Sequence, residues 1–443
     1  MDSQNMSSAA PVAVKHRIIA LDVLRGCALL GILLLNIEDF SGPEVLHDIP
    51  LSLTQSTVHD SDFKLNVILL AIKWVFFEGK MRTLFAMLYG AGIVLLTERL
   101  ERGGAPTADI FCRRNLWLLL FGVLHVVLLW QGDILSNYAL LALLFMFPLR
   151  HVKAQRLILL GLALGVIGPT AGTLISRNIP EMLRQEHLRV EGQAQMDAHR
   201  PVSLAQRAAL DAATRQAEQS ASEVAESLRI ARLPYLQTIG PRIDDFLNAL
   251  FRRIRTAGLL EVTGSIILGM GLYKSGFLVG TLSTRTFLIT AAGGYLISMP
   301  IVLTGILMVI RSGFSSASAR CWLSLPYSIE VLSAAIANAA VLLAVMRKGW
   351  LTPLTRALAN VGRTAFSNYI GTSLLCQWLF CFGPWPLYGQ LDYPHQLWVV
   401  AVVWTANLGA SALWLRYFSY GPLEWLWRSL VYWRRQPLRA ARS

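Results

Sequence analysis

Apolar residues run along this chain in blocks separated by short polar stretches, and the blocks are about 17–25 residues long, the length a helix needs to cross hydrocarbon. At that depth only a helix satisfies its own backbone groups within one segment. The blocks predict spans at 17–37, 81–98, 115–131, 134–149, 157–176, 247–273, 286–310, 322–346, 364–383 and 396–416. Residues 65–98 are the awkward stretch, because one helix of that length would reach about 50 Å against a core of about 30 Å. Glu78-Gly79-Lys80-Met81-Arg82 interrupts it, so 65–77 is read as a half-helix lying at or dipping into one leaflet. The expected fold is all-α: a polytopic transmembrane helical bundle of about 10 spans plus that re-entrant or interfacial half-helix.

Charge placement orients the spans. Lys15 and Arg17 precede the first one, whereas the loop after it holds Glu38, Asp39, Glu44, Asp48, Asp60 and Asp62 against Lys64. Basic residues gather on the cytoplasmic side of membrane helices, which puts residues 1–16 in the cytoplasm as an N-terminal tail. Arg150, Lys153, Arg156, Arg347 and Lys348 then also fall inside. The Arg311–Arg320 stretch falls outside and runs against this assignment. The chain divides into a membrane half at 17–176, a hydrophilic insertion at 177–245, a second membrane half at 246–418 and a basic, aromatic cytoplasmic tail at 419–443. The insertion has nine Arg, ten Asp or Glu and no Lys, with Ala-rich helical patterning from Ser203 to Ile230. It is expected to form an extracytoplasmic helical hairpin, either a lid or docking surface or an insertion without a role.

Composition agrees with a membrane protein and narrows its partners. Hydrophobic residues make up 54% of the chain and charged ones 15%. The net charge of +13 sits in small clusters beside apolar blocks, a distribution that fits the positive-inside rule and not nucleic-acid binding. The expected partner is a lipid bilayer. Five cysteines show no CxxC pairing and no histidine at ligand spacing, so neither a metal nor a disulfide framework is expected. No phosphate-binding glycine loop or GxSxG elbow is present.

Ionisable side chains at bilayer depth are costly unless paired or facing a wet cavity, so each one is a candidate. His125 and Asp133 lie in FGVLHVVLLWQGDIL. An imidazole titrates near neutrality and can take a proton from an attacking hydroxyl or amine; Asp133 would orient a histidine, bind a sugar hydroxyl or simply cap the next helix. Asp22 and Arg25 share a helical face, either as a snorkelling pair or, with Asn36 three turns on, as one inward stripe. Glu78, Lys80 and Arg82 make either a neutralised cluster or an anion site. Arg363, Asn368 and Tyr369 enter a span from its cytoplasmic edge, where Arg363 could equally be an anchor. His47 and His59 are alternative bases in the outer loop.

The segments LDVLRGCALLGILLLNI, GKMRTLFAMLYGAG, GVLHVVLLWQGDIL, VGRTAFSNYIG and WLRYFSYGPLEWLWRSL together resemble the YeiB-like family of bacterial inner-membrane proteins, domain of unknown function 418, over about residues 17–430. The Asp-x-x-Arg-Gly opening helix is more remotely similar to transmembrane acyltransferases, which include lysosomal heparan glucosaminide N-acetyltransferase and the O-acyltransferases of bacterial glycans. In the O-acyltransferases a histidine follows the arginine by eleven positions, where this chain has Asn36; the heparan enzyme's histidine corresponds best to His47. The resemblance implies transfer of an acyl group from cytoplasmic acetyl-CoA or another acyl-CoA to an envelope glycan, lipid or small acceptor outside. Arg25, Lys80, Arg82 and Arg363 would meet the CoA phosphates or an oxyanion, His125 would act as base, and Asp22, Asn36, Asp133, Asn368 and Tyr369 would shape the tunnel. A solute permease and a non-catalytic envelope-complex protein are the alternatives.

Overall fold

The computed structural model describes residues 18–43, 63–255 and 258–439. Among them the chain is a helical bundle without a strand. In order, α1 is Ile19–Ser41, α2 Phe63–Phe76, α3 Lys80–Arg102, α4 Thr107–Leu128 and α5 Leu135–Leu149. Helices α6 (Ala154–Arg177), α7 (Ile179–Asp197), α8 (Leu204–Ala231), α9 (Ile239–Arg255) and α10 (Gly258–Lys274) follow. The rest are α11 (Thr284–Arg311), α12 (Tyr327–Arg347), α13 (Thr352–Arg363), α14 (Ala365–Gln377), α15 (Tyr393–Tyr417) and α16 (Pro422–Val431).

Among the described residues, seven segments are long and apolar enough to cross a membrane: α1, the broken pair α2–α3, α4, α6, α11, α12 and α15. The expected ten exceeds this count because α5, α10 and α14 are shorter. Wide turns at Ala142–Met146 and Trp378–Phe382 interrupt the apolar runs of α5 and α14. The expected single span at 247–273 is corrected to two helices. Its first part belongs to α9, which starts at Ile239, and its second part to α10. Charges decide the difference: Arg242, Asp244, Asp245, Arg252 and Arg253 keep α9 amphipathic, so it cannot bury all its faces in hydrocarbon. The break expected between 77 and 81 is a turn at Gly79, whose φ of 70° is the left-handed region that glycine enters at little cost.

Close backbone contact holds the centre together. Helix α1 lies against α13 where a Cβ at Gly26 would overlap the Leu358 carbonyl and one at Gly362 the Asp22 carbonyl. Helix α3 lies against α10 in the same way, Gly90 on Ile266 and Gly269 on Met87. In lipid, association relies on van der Waals contact between small residues in place of a hydrophobic drive between helices. Helices α6 and α11 form the outside of the bundle, with Leu159, Ile167, Leu288, Leu296 and Leu303 exposed; these faces meet lipid.

The insertion forms two packed helices, α7 and α8, turned at 198–203. Ser203 and Gln206 close a reciprocal cap at the start of α8, which satisfies two otherwise orphaned backbone donors. After it, Tyr235 and Arg242 grip the end of α4. The Tyr235 hydroxyl donates to the Leu128 carbonyl at 2.6 Å and Arg242 donates to the Val127 carbonyl at 3.2 Å.

Candidate functional site

Helix α4 carries His125 close to its C-terminal end, in a buried position with 2% exposure. The chain leaves the helix at Leu128, and after six intervening residues α5 begins at Leu135. Asp133 sits at that junction. Its Oδ2 accepts the Ser136 backbone N–H at 2.7 Å, satisfying one of the orphan donors of the new helix. Its Oδ1 lies 3.0 Å from His125 Nδ1. A Cβ at Gly122 would press on Ser136 and the Asp133 carboxylate, so glycine at that position lets α5 start this close to α4.

The second ring nitrogen of His125 is occupied from a distant part of the chain. Its Nε2 lies 2.9 Å from Ser373 Oγ, on α14. One turn earlier on α14, the Tyr369 ring stands 5.1 Å from the imidazole, centroid to centroid, and its hydroxyl accepts the Ile134 N–H at 3.3 Å. Serine, histidine and aspartate therefore form one buried, hydrogen-bonded line. That order of groups activates a hydroxyl: the carboxylate orients the imidazole, and the imidazole withdraws the hydroxyl proton.

Tyr369 also lines a cavity of about 290 Å³. Five guanidinium groups surround it, those of Arg25, Arg99, Arg114, Arg363 and Arg428, against two carboxylates, Asp22 and Glu424. Asp22 is committed to Arg25, at 3.2 Å. Glu424 is committed to the start of α14: its Oε1 accepts the Phe366 and Ser367 N–H groups at 2.6 and 3.2 Å, and its Oε2 the Ser367 hydroxyl at 2.5 Å. Burial pushes the Glu424 carboxyl above the ordinary carboxylate range, against the pull of the Ser367 hydroxyl and these amides. Arg114 lies over the Trp427 ring at 5.0 Å. Its Nη1 is buried without a hydrogen-bond partner among the described residues. Much of the remaining wall is apolar, with Leu21, Phe85, Leu88, Leu96, Leu118 and Leu135. The cavity thus suits an anionic group carried on an apolar or flat body.

The structure brings together Asp22, Arg25, Arg363 and Tyr369 in the cavity, and His125 and Asp133 beyond Tyr369. It does not bring Lys80, Arg82 or Asn36 there. Lys80 is fully buried and paired with Glu330 at 2.7 Å, and Arg82 reaches Glu261 at 3.4 Å. Lys73 is ion-paired with Glu38 and lies 3.5 Å from Glu78. The helix break is consequently a neutralised charge cluster and not an open anion site, because carboxylates from α1, α10 and α12 meet its cations. Asn36 lies three turns along α1 from Arg25, outside the cavity wall. Asn368 is bonded to Thr364 and Ser411, at 3.0 and 2.8 Å, and ties α14 to α15. His47 and His59 fall outside the described residues. Among the described residues, no group of three or more histidines, cysteines or carboxylates is placed to hold a metal.

Ser373, Arg99, Arg114, Arg428 and Glu424 belong to this site and were not singled out from the sequence. A serine inside an apolar run ordinarily bonds the carbonyl four residues back, and the Tyr369 carbonyl lies within reach of Ser373 Oγ, at 3.3 Å. Nothing local distinguishes it; its partner His125 is 248 positions away.

Comparison with known proteins places the chain among bacterial relatives of the same length. "Uncharacterized protein YxaH" of Bacillus subtilis (strain 168) is 28% identical over 443 residues, 98% of each chain. "Uncharacterized protein YeiB" of Escherichia coli (strain K12) is 29% identical over 422 residues, 94% of this chain and 96% of the relative. No solved structure matches. The family model "Protein of unknown function (DUF418)" matches residues 272–434, a region that holds α11 to α16 and with them Arg363, Tyr369, Ser373, Glu424 and Arg428. The full-length likeness and this match agree: the chain is similar over nearly its whole length to YxaH and YeiB, and its residues 272–434 match the DUF418 family model.

Proposed function

We propose that this membrane protein transfers an acyl group from a cytoplasmic acyl-CoA, with acetyl-CoA the simplest donor, to a hydroxyl or amine of an envelope glycan, lipid or small acceptor. The observation that carries the reading is His125 with Asp133 on one ring nitrogen and Ser373 on the other, just beyond the inner end of an arginine-walled cavity. Phosphates of CoA would lie against Arg25, Arg99, Arg114, Arg363 and Arg428, where planar guanidinium groups match phosphate oxygens. The positive-inside rule turns that end toward the cytoplasm, where acyl-CoA is available. His125 would take the proton of the attacking group while Asp133 holds the imidazole and balances the charge it gains. The acyltransferase-like opening helix, Asp22-x-x-Arg25-Gly26, adds an analogy of motif. Lys80 and Arg82 drop out of the donor site in this reading, since each already faces a carboxylate.

The test is turnover of labelled acetyl-CoA by the purified full-length protein in lipid nanodiscs. Wild type should release CoA, and His125→Ala should lose at least about 100-fold, the usual worth of a general base, while keeping its melting transition. Absence of CoA binding and turnover in both proteins, together with a solute flux in proteoliposomes, would establish a permease instead.

A further inference from the structure

We propose that Ser373 is the nucleophile of this site, carrying the acyl group as an ester between departure of the donor and arrival of the acceptor; the proposal rests on the transfer reading above. Its starting point is the assignment of one proton. Asp133 presents acceptors only: Oδ2 takes the Ser136 N–H at 2.7 Å and Oδ1 faces His125 Nδ1 at 3.0 Å. Nδ1 therefore carries the ring proton, and in a neutral imidazole Nε2 is then the acceptor. Ser373 Oγ, 2.9 Å from Nε2, has to donate. Its hydroxyl could have been satisfied by the Tyr369 carbonyl on its own helix, but that contact is longer, 3.3 Å. The proton of Ser373 points at a base, and that base is held by a carboxylate.

The position of Ser373 suits a relay. Ala365, Phe366 and Tyr369 of α14 line the cavity, and Ser373 lies one turn further along the same helix, about 6 Å by helical rise. A donor anchored by the arginines would have to pass Tyr369, which lines the cavity one turn before Ser373, to bring its thioester to Oγ. The first step forms the Oγ–acyl carbon bond and passes the serine proton to His125 Nε2. Collapse breaks the carbon–sulfur bond, and the proton leaves on the CoA thiol. In the second step an acceptor hydroxyl or amine attacks the ester and gives its proton to Nε2, and the Oγ–carbon bond breaks. Ser373 recovers that proton. The two half-reactions need not share the cavity, so donor and acceptor can come from opposite sides of the membrane.

Labelled acetyl-CoA incubated with the full chain in nanodiscs, without acceptor, tests this by peptide mass spectrometry and by exchange of label with free CoA. The result expected is an acetyl adduct on the peptide containing Ser373, with acceptor-independent exchange. Ser373→Ala should lose both by at least about 100-fold, while its melting temperature and CoA binding stay near wild type. Ser373→Cys should instead trap a thioester that hydroxylamine cleaves. Turnover that survives Ser373→Ala, or proceeds with no adduct and no exchange, overturns the nucleophile and leaves direct transfer by His125 standing. An adduct on another residue overturns it as well. Lack of CoA binding and turnover in wild type overturns both readings.

Discussion

His125 is held by three groups from two origins: Asp133 from the turn after its own helix, and Ser373 and the face of Tyr369 from α14. Because Asp133 both caps α5 and orients the imidazole, its two duties can be separated. Asp133→Asn keeps an oxygen for the Ser136 N–H but loses the charge that fixes the histidine tautomer. It should remain folded, within about 1 kcal/mol of wild type on the cap, and lose at least about 100-fold in acetyl-CoA turnover. Denaturant unfolding and turnover assays check the two halves. Glu424 gives a pH dependence of another kind. Its carboxyl is raised in the fold by burial, so the native state holds its proton more tightly than the unfolded chain. The stability it contributes is then full below the ordinary carboxylate pKa, about 4.3, and is lost as pH rises through the raised value. Thermal melting followed from acid pH upward should show that loss, and Glu424→Gln should flatten it while still accepting from the α14 amides. At this scale the sequence was legible where hydrocarbon makes an ionisable group conspicuous, as with His125, Arg25 and Arg363. It was silent on Ser373 and Glu424, whose importance comes only from partners far away in the chain.

Between elements, two devices set the geometry. One is the glycine contact of α1 with α13, which brings Asp22 and Arg25 alongside Arg363 at the cavity mouth. Gly26→Val would drive a side chain into the Leu358 carbonyl. Overpacking of this kind typically costs about 1–3 kcal/mol, so the expected outcome is a lower melting temperature together with weaker CoA binding. The other device is the ion-pair cluster at the α2–α3 break. Removing one partner of a buried pair strands the other charge, at a cost of about 3–5 kcal/mol, whereas replacing both is often neutral. Lys80→Met should therefore destabilise severely, and Lys80→Met with Glu330→Leu should recover most of the loss, as read by the melting temperature of each variant. The break itself was legible, because Glu78-Gly79-Lys80 interrupts an apolar run. Its pairing was not, since Glu261 and Glu330 stand far downstream and look alike as isolated acids in apolar stretches. The amphipathic α9 was misread as the beginning of a span for the opposite reason: Phe246, Leu247, Leu250, Phe251 and Ile254 pass for an apolar block when the charges between them are averaged away.

Over the whole molecule, periodicity and block length were enough for an all-helical membrane bundle, because hydrocarbon allows few other solutions. They give ten crossings where seven segments among the described residues are long and apolar enough; α10, buried from Thr263 to Leu272, shows that a helix enclosed by others can be apolar without facing lipid. What links the ends of the bundle is the pair of sites: arginines around a cavity at one level, and a serine, histidine and aspartate beyond its inner end. The measurement that tests this link most directly is an experimental structure of the full chain in nanodiscs with a non-hydrolysable acetyl-CoA analogue. The account predicts phosphate density against Arg25, Arg99 and Arg114, with the thioester mimic past Tyr369 and within bonding reach of Ser373 and His125. An analogue that leaves the cavity empty, with His125 still sealed behind Tyr369, would contradict it.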